Sequence, residues 1–155
     1  DVCVAMAHTA LNTYLEFDAW IHPGRWPEEE MVQRLARARD AVGTARAEGY
    51  DDISLDLMLW LPGQTSTHCR HSVQSLLDLE PDHASFYLLE LYPNAPLRED
   101  MARSGLSLAP EEDAVQMYLE TLEMTDVAGY EQYEISNVCF LINYIHNITI
   151  KICAF

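Results

Sequence analysis

Two carboxylates in this 155-residue chain stand where acid–base chemistry would need them. Asp56 interrupts the apolar run from Ile53 to Leu61, and Glu90 lies near the end of a second run, Ala84 to Tyr92, each close to chain that must turn sharply. As a pair they could act as general acid and base, although spacing in sequence does not set their separation. The simpler reading of Asp56 is a strand residue near a sheet or barrel rim with a backbone or serine partner, since buried charges are normally paired. His68, Cys69 and His71 form a second cluster. His68 and His71 share a helix face and could ligate a metal or a haem; a solvent-facing helix start accounts for them equally well. The four cysteines, Cys3, Cys69, Cys139 and Cys153, are scattered, with none of the short spacings of a zinc site or an iron–sulfur cluster. Free thiols in a reducing compartment are expected.

Composition bounds the setting for that chemistry. With 49% hydrophobic and 10% aromatic residues, the chain has enough apolar material for one folded domain. Nine Lys and Arg against 25 Asp and Glu give a formal charge of −16. That balance excludes nucleic acid as a partner, because attraction to a phosphate backbone needs a basic surface. No charge-free stretch of about 20 apolar residues is present, so no membrane span is expected. No basic segment precedes an apolar run near Asp1, as it would in a secretory leader. A soluble, cytoplasmic chain is expected, and a start at Asp1 without Met points to a piece cut from a longer one.

The elements that must position Asp56 are a strand, a turn and a helix. Ile53, Leu55, Leu57, Leu59 and Leu61 share one parity and Ser54, Asp56, Met58 and Trp60 the other. This is the period of two of a strand with both faces mostly apolar, as in a parallel sheet covered by helices. Pro62 and Gly63 end it, and Thr65, Ser66 or Thr67 can cap a helix over about Thr67 to Leu79, with Val73, Leu76 and Leu77 inward. Pro81 stops that helix. Ala84 to Tyr92 reads as a second apolar strand, closed by Pro93 and Asn94. Strand, helix and strand at this spacing make a βαβ unit with parallel strands. Ligands gather at the C-terminal strand ends of such units, so Asp56 to Gln64 and Glu90 to Asn94 are the positions to watch.

Around that unit the signals are simpler. Pro27 opens a helix whose Glu28, Glu29 and Glu30 suit the positive end of its dipole. Met31, Leu35, Ala38, Val42 and Ala45 follow helical spacing to Gly49, and Arg34, Arg37, Arg39 and Arg46 read as a solvated face. Pro96 to Ser104 is a short helix ended by Gly105; Pro110 opens another, with Val115, Tyr118, Leu119, Leu122 and Met124 as its apolar side, up to Gly129. Tyr130 to Ser136 is a third strand. Val2 to Ala7 fits a short strand or a helix turn, and Trp20 to Trp26 an aromatic loop. Val138 to Phe155 stands apart: it is Ile-rich, holds no acid, carries Lys151 as its one formal charge, and alternates like a strand over Ile148 to Ile152.

Ile53-Ser-Leu-Asp-Leu-Met58 with Leu61-Pro-Gly-Gln-Thr65, Pro81-Asp-His-Ala-Ser-Phe-Tyr-Leu-Leu-Glu-Leu-Tyr-Pro-Asn-Ala-Pro-Leu97, Met117-Tyr118 and Ala128-Gly-Tyr-Glu-Gln-Tyr-Glu-Ile-Ser-Asn137 carry a resemblance. Together they resemble the oxygen-independent coproporphyrinogen III oxidase-like radical SAM proteins, most of all the branch regarded as haem chaperones. The resemblance runs over residues 29–137. It implies an α/β fold: part of a radical SAM (β/α)6 partial barrel with parallel strands, plus the start of a C-terminal domain. In such a barrel the strand ends bind S-adenosylmethionine (SAM) and a [4Fe–4S] cluster. On that basis residues 27–128 are a barrel segment, residues 129–155 begin the C-terminal domain with an atypical tail, and residues 1–26 are unassigned. Asp56 corresponds to the carboxylate that contacts the SAM ribose, and Met58 to a residue near the adenine. No catalytic residue is implied. Haem or porphyrin is the implied partner, with His68 and His71 as haem or metal candidates.

Departures from the family are equally specific. The family's Cys-x-x-x-Cys-x-x-Cys motif, its Gly-rich SAM segment and the preceding Glu strand are not in this chain. Trp60 stands where the family usually has Gly, and a large ring there could crowd the SAM cleft. Cys69 stands where Trp is common, and the Ile-rich tail replaces a basic segment, with His146-Asn147 near the expected place of its His-Asn pair. This chain alone is therefore expected to hold no cluster, to bind neither SAM nor haem stably, and not to cleave SAM. A barrel with open edges is expected to be marginal or self-associating, with the tail lying along one edge as a substitute strand. Haem carriage and coproporphyrinogen decarboxylation both remain open for the family. The competing reading is a small α/β binding or interaction module without radical chemistry.

Overall fold

The computed structural model describes residues 28–140 and 150–153. The expectations for residues 1–26, for Cys3 and for His146-Asn147 lie outside the described residues. Helix α1 (Glu28–Ala47) ends as its sequence requires: Gly49 takes φ +88°, and Tyr50 N–H returns to the Ala45 carbonyl at 3.1 Å. Strand β1 (Ile53–Leu59), helix α2 (Ser66–Leu77) and strand β2 (His83–Leu88) then form the expected βαβ unit, with β1 and β2 parallel. Thr65 is the cap, its Oγ1 accepting the His68 N–H at 3.2 Å.

β2 is shorter than the apolar run that encodes it. Leu89 N–H still reaches the Leu59 carbonyl at 3.1 Å, but β1 ends there, and among the described residues no strand pairs with Glu90 to Tyr92. Helix α3 (Pro96–Ser104) stops at Gly105, φ +71°, and helix α4 (Glu111–Val127) follows with acids in its first turn. The inward side of α4 differs in part from the expected one: Leu122 and Met124 pack against the core as expected, whereas other positions do not. Ala114, Met117, Thr121 and Thr125 are buried, while Val115 and Leu119 face outward at 56% and 53% exposure. Close approach to α2 selects this side, and it brings Thr121 Oγ1 to 3.9 Å from Cys69 Sγ.

The expected third strand, Tyr130 to Ser136, is found as β3 (Tyr130–Glu134), and a hairpin joins it to β4 (Asn137–Phe140), so the stretch that begins at Val138 starts inside a sheet. Strand β5 (Ile150–Cys153) lies along the free side of β1, parallel to it, with Ile150 opposite Ile53 and Cys153 opposite Asp56. The sheet order is β3-β4-β2-β1-β5, with β4 antiparallel to β2. β5 thus occupies the edge where a substitute strand was expected.

Ile53, Leu55, Leu57, Leu59, Ala84 and Phe86 form the sheet's side of the core, under Val42 and Ala45 of α1, Val73 and Leu76 of α2, and Met117 of α4. Each such large side chain is worth about 1.5–3 kcal/mol in burial. The N-terminal edge of the sheet is stitched around residues 80–82. Ile53 N–H donates to Asp82 Oδ2 and Asp82 N–H to the Ile53 carbonyl, both at 2.9 Å; the Tyr130 hydroxyl donates to the Pro81 carbonyl at 2.6 Å. Arg46 donates to the Glu80 carbonyl and lies 3.4 Å from Asp82. Among the described residues no helix is long and apolar enough to cross a membrane.

Candidate functional site

Parity sets Ile53, Leu55, Leu57 and Leu59 under the helices, so Ser54, Asp56 and Met58 face the other way. The parallel register sets His83, Ser85 and Tyr87 of β2 beside them, and the β2–β4 register adds Cys139 and Asn137. The resulting face opens progressively along the strands. Ser54 is fully buried, Asp56 half-buried, and Met58 and Tyr87 are exposed at 37% and 39%. This corrects the expectation of two mostly apolar faces: β1 contributes polar Ser54 and Asp56 here, and β2 adds His83 and Ser85.

Ser54 Oγ lies 2.8 Å from His83 Nδ1, and His83 Nε2 lies 2.7 Å from the Tyr133 hydroxyl, with the two rings 5.8 Å apart. This hydrogen-bonded chain ties β1, β2 and β3 together across the polar face. One position further along, Ser85 is fully buried and its Oγ has no hydrogen-bond partner among the described residues. Neither feature was read from the sequence. The alternation His83-x-Ser85-x-Tyr87 was visible, but its alignment with Asp56 exists only through the strand register.

The turn after β1 is closed by its own motif. Gln64, 3% exposed, accepts the Leu61 N–H on its Oε1 at 3.2 Å and donates its own N–H to the Leu61 carbonyl at 2.9 Å. Gly63, at φ +76°, donates to the Ser107 carbonyl at 3.0 Å, and a Cβ there would meet the Leu106 side chain at 3.2 Å. Trp60 adopts φ +59°, a left-handed conformation that glycine takes without steric cost and a bulky residue rarely adopts. Its indole N–H donates to the Ala109 carbonyl at 2.9 Å, which ties the ring to the chain leading into α4.

The other candidates separate. Glu90 lies exposed beyond the end of β2, accepting the Tyr92 hydroxyl at 3.1 Å, roughly 15 Å past Ser85 at the rise of an extended strand. Asp56 and Glu90 therefore do not form an acid–base pair. His68 and His71 are exposed on α2, while Cys69 between them is buried against Thr121; burial pushes its thiol above the ordinary range. Cys139 is half-buried, and burial and then the Glu131 carboxylate raise its thiol as well. Among the described residues, no three His, Cys, Asp or Glu side chains gather as a metal-holding group.

No family model matches the chain. Curated proteins do: over 111 residues it is 37% identical to the Heme chaperone HemW of Bacillus subtilis, a match that takes in 70% of this chain and 29% of that protein. This chain is homologous to part of HemW. It is likewise 35% identical over 113 residues to the Radical S-adenosyl methionine domain-containing protein 1, mitochondrial, of Bos taurus, covering 71% of this chain and 26% of that protein. The fold agrees with this relation. Coproporphyrinogen III oxidase (HemN) from Escherichia coli, a radical SAM enzyme, matches with a TM-score of 0.63 at 18% identity, over 75% of this chain and 27% of that one. The mixed sheet with its parallel β1–β2 pair is thus part of the HemN-like radical SAM fold, and the chain spans less than a third of the length of HemW.

Proposed function

We propose that this chain is the nucleoside-facing wall of a radical SAM protein of haem metabolism, acting in haem delivery or in porphyrin conversion. The observation that carries the reading is the polar sheet face: a half-buried carboxylate, Asp56, beside the buried hydroxyl of Ser85, with Met58 and Tyr87 exposed above them at the strand ends. These residues fit a nucleoside. Asp56 can accept hydrogen bonds from a ribose diol, and the Met58 thioether and Tyr87 ring offer a soft apolar surface for an adenine. SAM bound beside a [4Fe–4S] cluster supplies the radical chemistry. What this chain supplies is orientation: Asp56 holds the sugar, and the Leu61–Thr65 turn holds the end of β1 in place.

The cluster's thiolates come from outside this chain, whose cysteines have no suitable spacing. Residues 27–128 form the barrel wall, and residues 129–155 begin the following domain, whose first hairpin continues the same sheet. Within this reading His68 and His71, exposed on α2, are the haem or metal candidates. By itself the chain self-associates through its sheet edges.

The test is SAM binding by equilibrium dialysis, in the longer protein, for wild type and Asp56→Ala. Loss of a hydrogen bond to a charged group predicts a 10- to 100-fold weaker affinity, on the order of 1.5–3 kcal/mol. An unchanged affinity would overturn the assignment. Haem titration set against an assay of propionate decarboxylation then divides delivery from conversion.

A further inference from the structure

Two serines on one sheet face meet opposite fates. Ser54 and Ser85 are both fully buried, on neighbouring strands and facing the same way. Ser54 is satisfied by His83, which is itself held by Tyr133. Ser85, one step closer to the open end, has a hydroxyl with no partner among the described residues. Folded proteins leave few buried hydroxyls unpaired, and the ones they keep call for a reason.

A strand gives Ser85 no local remedy. The neighbouring Phe86 N–H already donates to the Ser136 carbonyl at 2.7 Å, and Ser85 is flanked by Asp56 on β1 and Asn137 on β4. The Asn137 amide is itself engaged by the Glu134 carboxylate. The hydrogen bonds that join Ser54, His83 and Tyr133 thus do not extend to Ser85 Oγ. Alanine would fill the same place without leaving a polar atom unsatisfied.

We infer that Ser85 is a ligand-facing hydroxyl, whose Oγ pairs with the sugar of the nucleoside that Asp56 holds. The inference rests on the nucleoside reading above and adds a residue to it. Its hydroxyl can donate to a ribose oxygen while the Asp56 carboxylate accepts from a ribose hydroxyl, so the two side chains together match a sugar edge that offers both functions. A bound sugar thereby supplies the partner that the Ser85 hydroxyl lacks among the described residues.

This predicts opposite signs for two substitutions in the longer protein that contains this chain, read by thermal unfolding with and without millimolar S-adenosylhomocysteine. Ser85→Ala raises the apo Tm by about 3 °C, because it removes an unsatisfied buried hydroxyl, and weakens S-adenosylhomocysteine binding about 5- to 10-fold. Ser54→Ala lowers the apo Tm, because it removes the hydroxyl paired with His83 Nδ1, and leaves the affinity unchanged. A Ser85→Ala chain that loses apo stability, or that binds S-adenosylhomocysteine as wild type does, overturns the inference. If Asp56→Ala abolishes binding while Ser85→Ala preserves it, the nucleoside reading stands and Ser85 alone is wrong. If the wild-type longer protein shows no ligand-induced shift at all, both fall.

Discussion

Leu55 and Asp56 are consecutive residues of one strand, and they stand in different surroundings. Leu55 is sealed under helices, in a layer where Leu57, Leu59 and Phe86 leave almost no surface exposed. Asp56 faces the opposite way, into a layer of hydroxyls, imidazole and carboxylate that opens along the strands to Met58 and Tyr87. The difference teaches a division of labour. The apolar face supplies the free energy that holds the sheet, and so the polar face can keep groups such as Ser85 that lower stability. The same split sets the expected consequences of mutation: on the apolar face stability is lost, while on the polar face Ser54 still contributes stability through His83, and the proposed site puts loss of binding at Asp56 and Ser85.

The largest expected effect breaks the apolar face. Phe86→Ala leaves a cavity at a residue only 2% exposed and should cost about 3–5 kcal/mol. Domains hold only about 5–15 kcal/mol in total, so urea titration should find the variant largely unfolded or near its midpoint without denaturant.

A second effect lies where the apolar face meets the N-terminal edge. Burial, followed by the Asp82 and Glu80 carboxylates, pushes the Tyr130 phenol up to about 12 against a partly opposing Arg46. The unfolded chain loses this proton near pH 10 and the folded one near pH 12. Between those values the folded state binds more protons, so stability is present below pH 10 and is lost as pH rises from 10 to 12, by on the order of 2–3 kcal/mol. Chemical denaturation at a series of alkaline pH values should show the decline for wild type and a flatter profile for Tyr130→Phe.

The smallest effect sharpens the boundary at the open end of β1. Trp60→Ala keeps the left-handed backbone but loses the hydrogen bond to Ala109, and Trp60→Gly loses the same bond but relieves the backbone. The glycine variant should be about 1 kcal/mol more stable than the alanine variant in equilibrium unfolding. Equal stabilities would mean that φ at this position carries no strain. The glycine that the resemblance leads one to expect at this position would take this backbone angle without steric cost.

The sequence by itself determined the local elements and the family. Period-two alternation over Ile53–Leu59, Thr65 as a cap, and Gly49, Gly105 and Gly129 as stops are written in residues close together along the chain, where propensity and sterics act directly. The family resemblance carried by the motif residues implied Asp56 and Met58 as nucleoside contacts, and those motifs too are runs of neighbouring residues. Only the tertiary structure decided which residues stand beside Asp56. Ser85 lies across a strand register that no local pattern encodes, and the Ser54–His83–Tyr133 chain joins three strands that are far apart in sequence. The true inward side of α4 was likewise hidden, because Val115 and Leu119 are as apolar as the residues it buries, and contact with α2 made the choice. The hairpin at Ile135-Ser136 has no glycine or Asn-Gly signal; it turns where pairing of β4 with β2, and the Phe86 bond to Ser136, hold it. Pairings between distant segments follow from which apolar surfaces must be covered together, and a chain read in order does not show that.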